Sequence, residues 1–240
     1  MLKPFAAALA ASALAGCHVR ADDNGGATVS RNYSVGSFQQ IEVAGPYEVE
    51  VRTGANPSVS ARGSEKLLER TVVEVRGDKL LIHAENNHSF FHFGWSHRGE
   101  AKFIVTVPQL SGATIAGSGD IRVDKVSGQN FEGTVTGSGG LEVAAMNVQQ
   151  LKLAIAGSGG VKAGNGTAQA AQYDIAGSGD IDAGAMDARD LKATIAGSGG
   201  IKAHSSGTAD VSIMGSGDVD VAGGAKCKIS KAGSGDVHCS

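Results

Sequence analysis

Aromatic residues make up only 5% of this 240-residue chain, which carries 36 glycines. Aromatic side chains normally supply much of the buried area of a compact core. A core here has to come from thin layers of Ile, Val, Leu and Ala instead. Charge of either sign is not concentrated: the formal net charge is -3, and the basic residues are scattered along the chain. That excludes the focused basic face on which nucleic-acid binding depends. There are only three cysteines, and none has a CxxC neighbour, which argues against zinc and dithiol redox chemistry. The N-terminal apolar run, Pro4 to Ala15, is too short to span a bilayer.

That run does have the form of an export signal. Met1-Leu2-Lys3 supplies a positive start, and Leu14-Ala15-Gly16-Cys17 resembles a bacterial lipobox. Residues 1–16 are therefore read as a lipoprotein signal peptide and Cys17 as the lipid-modified first residue of the mature protein. His18 follows where an inner-membrane retention signal would carry Asp, so the outer membrane is the expected address. Residues 17–32 are assigned to the lipidated cysteine and a tether.

What the chain has in abundance is one short phrase. Gly-Ser-Gly followed by Asp or Gly begins at positions 117, 137, 157, 177, 197, 215 and 233. A fixed period of this length is the mark of a repeat architecture. Around the turns run apolar columns. One is Ile115, Val135, Ile155, Ile175, Ile195 and Ile213. A second is Ile121, Leu141, Val161, Ile181, Ile201, Val219 and Val237. Within a repeat these positions alternate with polar ones, the period of a half-buried strand. Each repeat then reads as strand, corner, strand and a looser polar return. Stacking the repeats buries faces that no single repeat could bury alone.

The outward column Arg122, Glu142, Lys162, Asp182, Lys202, Asp220 reverses sign at every step. Stacked like charges repel and opposite ones attract, so this is the pattern an in-register parallel stack favours. The expected fold is all-β: a parallel β-solenoid of right-handed coil, with about seven coils of 18–20 residues over residues 111–240. Residues 33–110 hold further alternating stretches and a short helical turn at Ser64–Leu68, and form the N-terminal β part that caps the same domain.

The corner itself reads as scaffold. Glycine allows positive φ and close approach of backbones, and strand residues follow it where a P-loop would open a helix. Gly140, Gly160 and Gly200 stand where a calcium roll would need Asp, leaving Asp218 and Asp236 as the least implausible ion pair-site. Cys227 continues the inward column of Leu191 and Ala209, and Cys239 that of Ala203 and Val221. These two are expected to form a disulfide that closes the last coil and guards its edge.

Function is sought in what does not repeat. The segment HAENNHSFFHFGWSHRG gathers most of the aromatics, and Phe90, Phe91, Phe93 and Trp95 are its candidate binding residues. His83, His88, His92 and His97 are candidate metal ligands, though their spacing matches no standard motif. Arg76-Gly77-Asp78 matches an integrin-binding tripeptide and equally reads as hairpin-turn chemistry.

The stretches FQQIEVAGPYEVEVRTG, KLLIHA and FIVTVPQLSGATIAGSGDI, with the later turns, resemble the putative auto-transporter adhesin, head GIN domain family over residues 35–238. The resemblance implies a β-solenoid of exported, often lipid-anchored bacterial proteins, with no catalytic residues. The expected protein is a non-enzymatic lipoprotein without cofactor, a structural or adhesive module at the bacterial envelope. Its expected partners are the membrane, through lipid on Cys17, and a glycan or envelope protein, with no nucleic acid. The alternatives are a carbohydrate-active β-helix enzyme using Asp180 or Asp182, and a metal-binding envelope protein using the His83–His97 segment.

Overall fold

The computed structural model describes residues 27–85 and 100–240. The sites expected at Cys17, His88, Phe90, Phe91, His92, Phe93, Trp95 and His97 lie outside the described residues. The chain opens with strands β1 (Thr28–Tyr33), β2 (Gln40–Ala44), β3 (Glu48–Thr53) and β4 (Ser58–Ser64). A single helical turn, α1 (Glu65–Glu69), leads to β5 (Thr71–Arg76), β6 (Lys79–Ala84), β7 (Ala101–Val107) and β8 (Gly112–Gly117). Then come the long strands β9 (Asp120–Gly137), β10 (Gly140–Gly157), β11 (Gly160–Gly177), β12 (Asp180–Gly197) and β13 (Gly200–Gly215). The chain closes with β14 (Asp218–Ala222), β15 (Lys226–Gly233) and β16 (Val237–Cys239).

β8 to β16 stack in parallel, in register, as a β-solenoid of about six turns. The seven corners bound six complete intervals, which is why the turns are one fewer than the phrases. The predicted columns hold position by position: Ile115 to Ile213 and Ile121 to Val219 are all buried.

The return is not the looser segment that alternation suggested. Each coil pairs with the next in three segments, for β10 on β11 at 140–143, 145–148 and 150–157. The middle segment adds a third wall, whose inward side chains include Val126, Met146, Val148, Ala168, Met186 and Ala188. Bends separate Val143 from Met146 and Val148 from Leu151 by three residues each, so the period of two is interrupted and the pattern reads as polar.

The tether reading is shortened as well, because residues 28–33 form β1, paired antiparallel with β4. The N-terminal part extends the stack by two more layers. β2 and β3 pair in parallel with β8 and β9, and β6 and β7 lie beyond them on β2 and β3. The antiparallel strands β4 and β5 then cover the end, with β1 outside β4. Arg76-Gly77-Asp78 is the hairpin turn from β5 to β6, with Gly77 at φ 65°. Tyr47 and Phe103 meet edge-to-face at 5.5 Å beneath this cap, and Tyr47 Oη lies 3.2 Å from Thr71 Oγ1.

Candidate functional site

The corners are built from backbone. The first glycine of each has φ between 120° and 141°, a region closed to most side chains. The following Ser N–H donates to the carbonyl of the first glycine one coil earlier, at 2.9 Å in all six steps from Ser138 to Ser234. A Cβ on the second glycine would stand only 1.9–2.4 Å from the second-glycine carbonyl of the preceding coil, from Gly139 to Gly235. The serine side chains are exposed and contribute only their position.

The choice of Asp or Gly after the corner has its own cause. Asp120 Oδ1 accepts from Gly140 N–H at 2.9 Å, Asp180 Oδ1 from Gly200 N–H at 2.8 Å, and Asp218 Oδ1 from Asp236 N–H at 2.8 Å. A Cβ at Gly140 or Gly200 would meet those carboxylate oxygens at 2.8 and 2.9 Å. Asp120 and Asp180 thus leave little room for a side chain at 140 and 200, whereas Asp236 carries one above Asp218. Asp218, one half of the suggested ion pair-site, is thus used structurally, and no group of three or more metal-ligating side chains occurs among the described residues.

Charges follow the ladder over part of its length. Lys102 reaches Glu48 at 3.5 Å, Glu48 also meets Arg122, and Glu142 lies 3.8 Å from Arg122 and 3.9 Å from Lys162. Beyond Lys162, Asp182, Lys202 and Asp220 share the column without approaching within salt-bridge distance. That end of the wall forms a groove of about 780 Å³ lined by Asp180, Asp182, Lys202, Asp218, Asp220 and His238. Its apolar lining is aliphatic, and the imidazole of His238 is the one ring among its lining residues.

The unrepeated segment enters at a definite place. His83 lies in the column of Ala44 and Ala116, just before the corner, and Lys102 in that of Glu48 and Asp120, just after it. His83 and Lys102 thus stand on opposite sides of the corner line. Of the candidate metal ligands only His83 is described, and both its ring nitrogens are engaged. Nε2 lies 3.1 Å from Glu74 Oε1 and Nδ1 2.8 Å from the Ala84 carbonyl oxygen. The hydrogen bond from His83, aided by Arg76, holds the Glu74 carboxyl below its usual range. Sequence columns could not reveal this pairing, because it crosses the β5–β6 hairpin.

The comparisons agree with this architecture. The family described as putative auto-transporter adhesin, head GIN domain, matches residues 37–225. The chain belongs to that family. Membership points to a binding module of exported or envelope-associated type. Among solved structures, a putative adhesin from Bacteroides fragilis NCTC 9343 is similar at 23% identity and TM-score 0.80, covering 90% of this chain and 98% of the other. A putative lipid binding protein from Parabacteroides distasonis ATCC 8503 is similar at 24% identity and TM-score 0.68, with the same coverage. A putative adhesin from Parabacteroides merdae ATCC 43184 follows at 18% identity and TM-score 0.69, covering 90% and 97%. At these identities the likeness is one of fold. No functionally curated protein matches the chain.

Proposed function

We propose that the protein is a lipid-anchored binding module of the bacterial outer membrane, held by Cys17 and presenting its solenoid as a rigid, non-catalytic scaffold. The observation that carries the reading is that an adhesin-family domain spans residues 37–225 behind a lipobox-like Leu14-Ala15-Gly16-Cys17. The repeats support it, because their glycines, aspartates and inward columns are consumed in holding the stack together. Among the described residues no helix is long and apolar enough to cross a membrane, so attachment falls to the lipid in this reading. Contact with a glycan or envelope protein is assigned to Phe90, Phe91, Phe93 and Trp95, in the one segment that departs from the repeat.

Anchoring is tested by metabolic labelling with a fatty acid and by membrane fractionation. The native chain should take up label and sediment with outer membranes, and Cys17→Ser should do neither. Binding is tested on glycan arrays and on envelope extracts. Loss of retained partners on replacing the four aromatics by alanine is expected; equal retention by that variant refutes the assignment.

A further inference from the structure

The last coil is held unlike the others. Among the described residues β15 pairs only with β13 and β16 only with β14, so each has one edge without a described partner. Every residue of β15 except Cys227 is exposed, whereas Leu191, Ala193 and Ile195 on the matching stretch of β12 are buried. A terminal repeat has one neighbour where an interior repeat has two. Its inward column also changes character. Lys231 stands where Ile195 and Ile213 stand in earlier coils, and it turns to Asp236 at 3.7 Å. An inward charge at a sheet edge blocks further strand addition. The coil joins the body through Gly223 and Gly224, at φ 106° and 74°, and no atom crowds Gly224. The body beneath it fits this coil and is apolar: Val211, Ile213, Val219 and Val221 are buried, and Asp210 lies 3.9 Å from Lys228.

Both cysteines of the disulfide lie within this coil, Cys227 on β15 and Cys239 on β16. The bond therefore does not fasten the coil to the body. It holds the two halves in the shape that docks, and so removes freedom from the undocked arm.

We infer that residues 223–240 are a detachable arm whose docking is under redox control, and that the reduced arm exchanges with the arm of a second copy of this chain. The trigger is a dithiol reductant. Its thiolate attacks one cysteine Sγ and the other leaves as a thiolate that takes a proton. The reductant's second thiol then displaces the protein sulfur from the mixed disulfide. Two electrons and two protons pass to the protein, giving two cysteine thiols and one reductant disulfide. Loop-closure entropy for a ring of this size makes undocking about 100-fold more frequent after reduction. An arm from a second copy restores every contact it left, with Gly223-Gly224 as the hinge, and exchange of an identical element is a low-cost route to a dimer.

The test uses the Cys17→Ser protein, with dithiothreitol as the reductant. Amide hydrogen exchange at Val219, Ser234 and Ser240, whose N–H groups bond across the arm interface, should rise about 100-fold on reduction. Amides of β10 and β11 should not change. Mixing two mass-labelled batches should give mixed dimers by native mass spectrometry when reduced and none when oxidised. Gly224→Val, which strains the closed turn but not an extended hinge, should raise the dimer fraction. Unchanged protection at the three amides overturns the inference. So does an equal rise along β10 and β11, which would make the bond a general stabiliser. A loosened arm with reduced chains that stay monomeric, Gly224→Val included, overturns it too.

Discussion

Replacing Gly179 by alanine adds one methyl group where adjacent coils approach closely. An ideal Cβ there would stand 2.3 Å from the Gly159 carbonyl oxygen and 2.7 Å from Ile155 Cγ2. The coils have to part locally by about 1 Å to reach ordinary contact distance, and overpacking of this kind costs roughly 1–3 kcal/mol. Separation also weakens the three bonds that cross this step: Ser178 N–H and Gly179 N–H to the Gly157 carbonyl, and Asp180 N–H to that of Gly159, at 2.9, 3.1 and 3.2 Å. At about 1 kcal/mol net for each bond lost, the expected total is about 4–6 kcal/mol if all three are lost. Gly160→Ala is the matched control. Its Cβ would meet only the Asp180 carbonyl oxygen, at 3.9 Å. Its φ lies outside the positive region, so this change should be neutral or stabilise by roughly 0.5 kcal/mol through the unfolded chain. Guanidinium unfolding followed by circular dichroism, with residue-level hydrogen exchange to localise the loss, measures both. Equal stability of the two variants would refute close approach as the reason for glycine at the second corner position.

The remaining expectations concern charge, pH and the open edge. Burial pushes the Tyr173, Tyr47 and Tyr33 hydroxyls above the usual tyrosine range. The folded pKa being the higher one, their contribution is full below about pH 10 and is lost as pH rises past it; in alkaline melts Tyr173→Phe should flatten that loss, and an unchanged slope would count against it. Glu142→Lys places three positive side chains in a row with Arg122 and Lys162. It should cost about 1 kcal/mol or less at low salt, because these groups are exposed, and the cost should fade in high salt. Lys231→Ile removes the inward charge from the last coil, and light scattering should then show more self-association than the native protein gives.

Much of the scaffold was legible because a solenoid repeats its environment. The side chain at Ile155 meets nearly the same neighbours as the one at Ile175, so the same residue type recurs and the column becomes visible. Cys227 and Cys239 could be paired for the same reason: each inherited a column whose direction was already known. The third wall was hidden where the chain bends, since Met146 and Val148 fall out of step with the alternation on either side. Asp120 and Asp180 were legible as a pattern and not as a cause, because their partners are backbone N–H groups one coil away. His83 was drawn into a metal set by its neighbours in sequence, while its partner Glu74 lies across a hairpin.

The sequence by itself determined the repeat, the inward and outward columns, the corner chemistry and the terminal disulfide. Each of these is set by local period and by identity with the next coil. Only the tertiary structure decided how the ends are made. It put β2–β3 and β6–β7 in register with the solenoid, and it set His83 and Lys102 on opposite sides of the corner line. It also left β15 and β16 with one edge unpaired among the described residues. The physical reason is that an interior coil meets copies of itself, so its neighbours are written in its own sequence. An end meets something different, and its partners have to be found in space.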